Sequence, residues 1–146
     1  MSRYLDSSAL VKLAVLESES GDLSAYLVAS PAALWTSRIA VTEVLLAVRR
    51  RFPKADAPID VSEPTELRLP GFTARVADVP PHVAVDAALI GADLGLRALD
   101  AIHVATALAL RPGLTEVVTY DARMASACRT LGLAVVAPGD GPHAAK

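Results

Sequence analysis

Five short apolar runs punctuate the chain, and helix-like stretches fill the gaps between them. The runs are "RYL" (3–5), "ALWT" (33–36), "FTARVADV" (72–79), "EVVTY" (116–120) and "LAVVA" (133–137). Each is too short for a buried helix and bounded by polar or turn residues, so each reads as a strand. Between them, 7–16, 20–30, 37–51, 81–95, 98–110 and 121–132 have helical spacing. Ser37 is a suitable N-cap for the third of these and Gly132 a C-terminal glycine for the last. Strands alternating with helices predict an α/β domain with a mostly parallel five-stranded sheet flanked by helices. The third run alternates apolar and polar residues and is expected at a sheet edge. Residues 53–70, "PKADAPIDVSEPTELRLPG" to its proline, are expected to be an irregular connection. One domain over 1–138 and a frayed polar tail over 139–146 follow.

Composition narrows the class. Apolar residues make up 53% of 146, and only 4% of residues are aromatic. Alanine, leucine and valine must therefore build the core, which favours helices packed on a sheet over an aromatic-rich β-sandwich. No apolar run reaches the ~18 residues of a membrane span. The start, "MSRYLD", lacks a secretory apolar segment, and Cys128 is alone, so a cytoplasmic chain without disulfides is expected. The net charge of −2 excludes a bulk polycation, leaving nucleic-acid contact to local patches. Arg49, Arg50, Arg51 and Lys54 form one, although cations also suit a helix C-terminus.

Ligands of parallel sheets bind beyond the carboxyl ends of the strands. Asp6 follows the first run and Asp121 the fourth. Each is also a good helix N-cap. Glu43 lies mid-helix with Ile39, Ala40, Leu46 and Ala47 at helical neighbour positions. Asp100 lies near the start of "ALDAIHVATALAL", the most apolar helix. Burying an unpaired carboxylate costs several kcal/mol, roughly, so Glu43 calls for a nearby cation or for a helix exposed differently from this reading; Asp100 makes the same argument, although an Asp in a first turn also suits the helix dipole. Arg97 is a candidate partner for Asp100, but one arginine cannot neutralise four acids. Oxygen-only ligation suits Mg²⁺ or Mn²⁺, and the chemistry implied is metal-assisted phosphodiester hydrolysis. His103, Cys128 and Trp35 read as packed residues, His103 as a hydrogen-bonded one.

The segments "YLDSSALVKL", "TSRIAVTEVLLAVRR", "LRALDAIHVATAL" and "VVTYDARMASACRTLGL" resemble, in order and spacing, the signatures of PIN-domain ribonucleases. The likeness is strongest to the VapC toxins of bacterial toxin–antitoxin pairs and covers residues 2–138, least over 53–80. The resemblance implies a PIN-like three-layer fold and a metal-dependent endoribonuclease. It places Asp6, Glu43, Asp100 and Asp121 at the acidic positions, with Asp6, Asp100 and Asp121 toward Mg²⁺ or Mn²⁺. Glu43 would ligate or orient the attacking water, and Ser7 and Thr119 would support the acids. Arg38, Arg97 and the Arg49–Arg51 cluster are candidates for steering the RNA backbone. The resemblance further implies a homodimer and a cognate VapB-like antitoxin. The rival reading is a PIN-like module that binds RNA or protein without catalysis. Phosphatase and phospho-acceptor readings fit less well, because "LDSSALVK" lacks a second Asp two positions on and no receiver-like Asp and Lys pattern is present.

Overall fold

The computed structural model describes residues 1–54 and 58–141. In chain order the elements are β1 (Ser2–Leu5), α1 (Ser7–Ala14), α2 (Ser20–Ala29), β2 (Ala33–Ser37), α3 (Arg38–Arg51), β3 (Glu66–Leu69), β4 (Phe72–Ala77), α4 (Pro81–Leu94), α5 (Ala98–Ala109), β5 (Leu114–Val118), α6 (Ala122–Thr130) and β6 (Val135–Val136). They form one sheet in the order β3-β4-β2-β1-β5-β6. Every pairing is parallel except β3 with β4.

The sheet has six strands, one more than the sequence predicts. β3 lies in the segment expected to be irregular, and it takes the edge position expected of β4. Its alternation is only four residues long: Leu67 and Leu69 are buried while Arg68 is exposed. Pro70 and Gly71 then turn the chain so that Leu69 pairs with Phe72. Gly71 adopts φ +78°, the left-handed conformation a type II turn requires after proline. Asp60 covers part of this edge through a two-bond bridge with Arg68. Asp121 accordingly follows the fifth strand rather than the fourth. Of the predicted tail, residues 142–146 lie outside the described residues.

The alternation of side chains along each strand builds two cores. On one face Leu5 and Val118 pack with Leu10 and Leu13 of α1, Leu23 of α2, and Ala40, Val44 and Val48 of α3. On the other, Tyr4 and Val117 pack with Val104 and Ala107 of α5 and Met124 and Cys128 of α6. Trp35 packs against this second core, under the Arg75 guanidinium at 5.6 Å. α4 lies on α5, where Gly91 brings the helices close: a Cβ there would sit 3.3 Å from that of Ala101. The result is three layers, helices–sheet–helices. The chain runs outward from β1 to β2 and β4, then returns to place β5 on β1's other side. That reversal makes the crevice beyond the ends of β1 and β5 the natural ligand site.

Candidate active site

Asp6 stands at the end of β1 and caps α1. Its Oδ1 accepts from the Ala9 N–H at 3.0 Å and from the Ser8 hydroxyl at 2.6 Å. Its Oδ2 accepts from the Thr119 hydroxyl at 2.5 Å. All three donors are neutral, and Asp6 is 3% exposed. Burial raises its pKa, and the nearby His103 and the three hydrogen bonds oppose that rise. A buried carboxylate held by neutral donors is a strong acceptor for a cation.

Thr119, 1% exposed, joins Asp6 to the next acid. The same Oγ1 accepts from the Asp121 N–H at 3.1 Å. Asp121 caps α6, its Oδ1 accepting from the Met124 N–H at 2.8 Å. Ser8 adds a second tie across the crevice: its Oγ accepts from the Tyr120 N–H at 2.9 Å. Ser8 thus makes the supporting contacts that the sequence reading assigned to its neighbour Ser7, which opens α1 half-buried. After Asp6 the run "DSS" offers two adjacent serines, and only the fold decides which one faces Asp6. A cleft opens alongside, lined by Thr119, Tyr120, Asp121, Arg129 and Asp140.

Glu43 and Asp100 come from helices on opposite sides of the sheet. Glu43 lies beside the buried Ala40–Val44–Val48 stripe of α3, its side chain 26% exposed. The partner that its apolar setting demands is His103, whose Nε2 lies 2.7 Å from Oε1. His103 Nδ1 is in turn 2.6 Å from the Tyr4 hydroxyl. His103 is therefore buried and hydrogen-bonded as read from the sequence, but bonded to one of the candidate acids. Periodicity carries no sign of this, because the partners are 60 and 99 residues away. Asp100 sits one turn before His103 in the first turn of α5, which is more exposed than its sequence implies: Leu99 is 48% exposed and burial begins at Ala101. Arg97 Nε meets Asp100 Oδ2 at 3.4 Å.

The basic candidates divide. Arg97 caps the N-terminal end of α5, and Arg38 opens α3, paired with Asp78 at 2.8 Å. Both stand at the crevice end of their helices. Arg49, Arg50 and Arg51 close α3 two turns beyond Glu43, about 9–12 Å along the axis. Among the described residues no three Asp, Glu, His or Cys side chains converge as a ready-made metal cage. Mg²⁺ does not need one, since it keeps several waters and takes one or two carboxylates.

Asp6 follows β1 and Asp121 follows β5 at the reversal of the parallel sheet, while Glu43 stands on α3 and Asp100 in the first turn of α5. The PIN domain family pattern matches residues 3–130. This chain belongs to the PIN domain family. Ribonuclease VapC46 of Mycobacterium tuberculosis is 40% identical to this PIN domain over 142 residues, covering 92% of this chain and 96% of that one. Ribonuclease VapC35 of the same species is 36% identical, covering 93% and 96%. The fold is similar to the crystal structure of M. tuberculosis VapC20, described as a sarcin-ricin loop cleaving toxin, with TM-score 0.64, 16% identity and coverage of 93% and 99%. It is also similar to a chain of a toxin–antitoxin complex from Klebsiella pneumoniae, with TM-score 0.57, 20% identity and coverage of 82% and 86%. No described helix of the PIN domain is long and apolar enough to cross a membrane.

Proposed function

We propose that this PIN domain is a VapC-type toxin, an endoribonuclease that uses Mg²⁺ or Mn²⁺ to hydrolyse RNA phosphodiester bonds in the cytoplasm. The observation that carries the reading is the buried Asp6 carboxylate at the end of β1, held by neutral donors and tied through Thr119 to Asp121. The names of the relatives, ribonucleases matched along nearly the whole chain, support the substrate class. The neighbour from a toxin–antitoxin complex supports a VapB-like antitoxin partner, and a homodimer is part of the proposal.

In this reading Asp6, Asp100 and Asp121 hold the metal. When bound, it supplies positive charge for the scissile phosphate and a more acidic bound water. Glu43 orients the attacking water and accepts its proton. Thr119 and Ser8 keep both Asp6 oxygens aimed by donating to them. Arg38 and Arg97, at the crevice end of their helices, hold RNA phosphates beside the acids. Arg49–Arg51, at the far end of α3, would meet only RNA that extends beyond the crevice.

Incubation of the purified, antitoxin-free chain with total bacterial RNA tests this. Mg²⁺ or Mn²⁺ should give discrete products, EDTA none, and Asp100→Asn a loss on the order of 10²-fold, the size of one lost electrostatic contact at a reacting centre. Equal cleavage by wild type and variant would overturn the assignment of the acids. Absence of cleavage together with tight RNA or protein binding would favour the non-catalytic module.

A further inference from the structure

His103 is the one buried titratable side chain of α5, and its position needs explaining. The surrounding α5 residues, Val104, Ala105 and Ala107, are buried and apolar, and a leucine at 103 would fill similar space without polar atoms. The imidazole is instead 1% exposed and engages both nitrogens. The bond satisfies the buried ring nitrogen, and it also fixes the orientation of Glu43, which reaches water and would otherwise be free to turn. The bond also joins the two helical layers. α3 packs on the Leu5 face of the sheet and α5 on the Tyr4 face. Glu43 and His103 meet at the carboxyl edge of the strands, where Tyr4, the ring's other partner, stands two residues before Asp6.

The direction of the bonds follows from Glu43. A carboxylate oxygen only accepts, so the 2.7 Å contact to Oε1 places the ring proton on Nε2, and the Nδ1 of a neutral ring is then left to accept from the Tyr4 hydroxyl at 2.6 Å. Tyr4 and Asp6 are two apart at the end of β1, so one strand end anchors both.

We propose that His103 is a positioning residue for RNA hydrolysis: Tyr4 fixes its ring, and its Nε2–H holds the Glu43 carboxylate, engaging Oε1 and leaving Oε2 for the attacking water. The inference rests on the ribonuclease reading. The carboxylate then swings less between productive and unproductive rotamers, and a misplacement of about 1 Å is worth roughly 10²-fold in rate.

Two measurements decide it. The first is steady-state cleavage of a short RNA substrate by wild type, His103→Leu, His103→Gln, Glu43→Gln and the Glu43→Gln/His103→Leu double variant, with folding checked by thermal melting. His103→Leu should lower kcat about 10–100-fold while KM stays within about twofold. His103→Gln, which can still present an N–H to Glu43, should recover most of the loss. The double variant should be no slower than Glu43→Gln alone, because His103 acts through Glu43. A His103→Leu variant with wild-type kcat, or losses that multiply in the double variant, would overturn the proposal while leaving the ribonuclease reading intact. The second measurement needs no activity: long-range ¹H–¹⁵N spectra of the histidine rings. The proposal expects the proton of neutral His103 on Nε2, and an Nδ1-protonated ring would overturn it. An inactive wild type with the expected ring proton would instead sink the ribonuclease reading, and with it the catalytic part of this one.

Discussion

Asp6 has three neutral donors and almost no contact with water. Its charged form is therefore the costly one in the fold. An acid whose folded pKa is raised contributes its full stability below its ordinary value, near 4, and loses it as pH rises through the folded value. As pH rises above the ordinary carboxylate range, this contribution is lost from the metal-free fold. Asp6→Asn keeps a good N-cap, and its amide can donate to Thr119. The variant should melt roughly 2–5 °C higher than wild type at pH 7.5 in EDTA, about 1 kcal/mol for a domain of this length, with a smaller gain at pH 4. It should also lose RNA cleavage. Scanning calorimetry at both pH values checks the first part, and a lower melting point at pH 7.5 would contradict it. Cys128 obeys the same sign at the alkaline end. Burial pushes its thiol up to about 12, so its contribution is complete near pH 8 and fades as pH climbs toward 12. The folded chain should resist alkylation by iodoacetamide at pH 8 and react promptly once unfolded in urea, as mass spectrometry can show. Rapid labelling of the folded chain would mean that Cys128 is more accessible than its burial indicates.

Two helices at the crevice begin on candidate acids, which is why the elements were more legible than the contacts. Asp6 caps α1, Asp121 caps α6, and Ser37 caps α3 with a longer 3.4 Å bond. Each capping signal lies within four residues of its effect, so the strand–helix alternation and most boundaries could be read from sequence. β3 could not, because two buried leucines in a proline-rich stretch are too few to set a period. Nor could the Glu43–His103–Tyr4 chain, whose members meet only once both helical layers are docked. The need for a partner at Glu43 was visible in its apolar neighbours, but not that a histidine would supply it. The double duty of the caps can be separated experimentally. Asp121→Ala should destabilise the domain by about 1 kcal/mol through the lost bond to the Met124 N–H. Asp121→Asn should keep that stability within a few tenths of a kcal/mol yet reduce cleavage. Urea melts of the two variants distinguish these effects; equal losses of stability would mean that charge at the α6 terminus matters more than the cap.

Across the whole molecule, a parallel sheet reverses its winding between β1 and β5, and two layers of helices lean over that point. Asp6 comes from the sheet, Glu43 from one layer, Asp100 from the other, and Asp121 from the end of the returning strand. No local segment contains the site, so its integrity depends on the packing of both cores. That architecture also orders the basic residues: Arg97 pairs with Asp100 and Arg38 opens α3, while Arg49–Arg51 mark the opposite end of α3. If these separate acids serve one metal, anomalous scattering from a crystal of the free protein soaked in Mn²⁺ should show a peak at the end of β1, with oxygens of Asp6 and at least one of Asp100 and Asp121 within about 2.5 Å or joined to it by a shared water. A peak only elsewhere on the surface, with Asp6 still bonded solely to Ser8, Ala9 and Thr119, would contradict a shared metal.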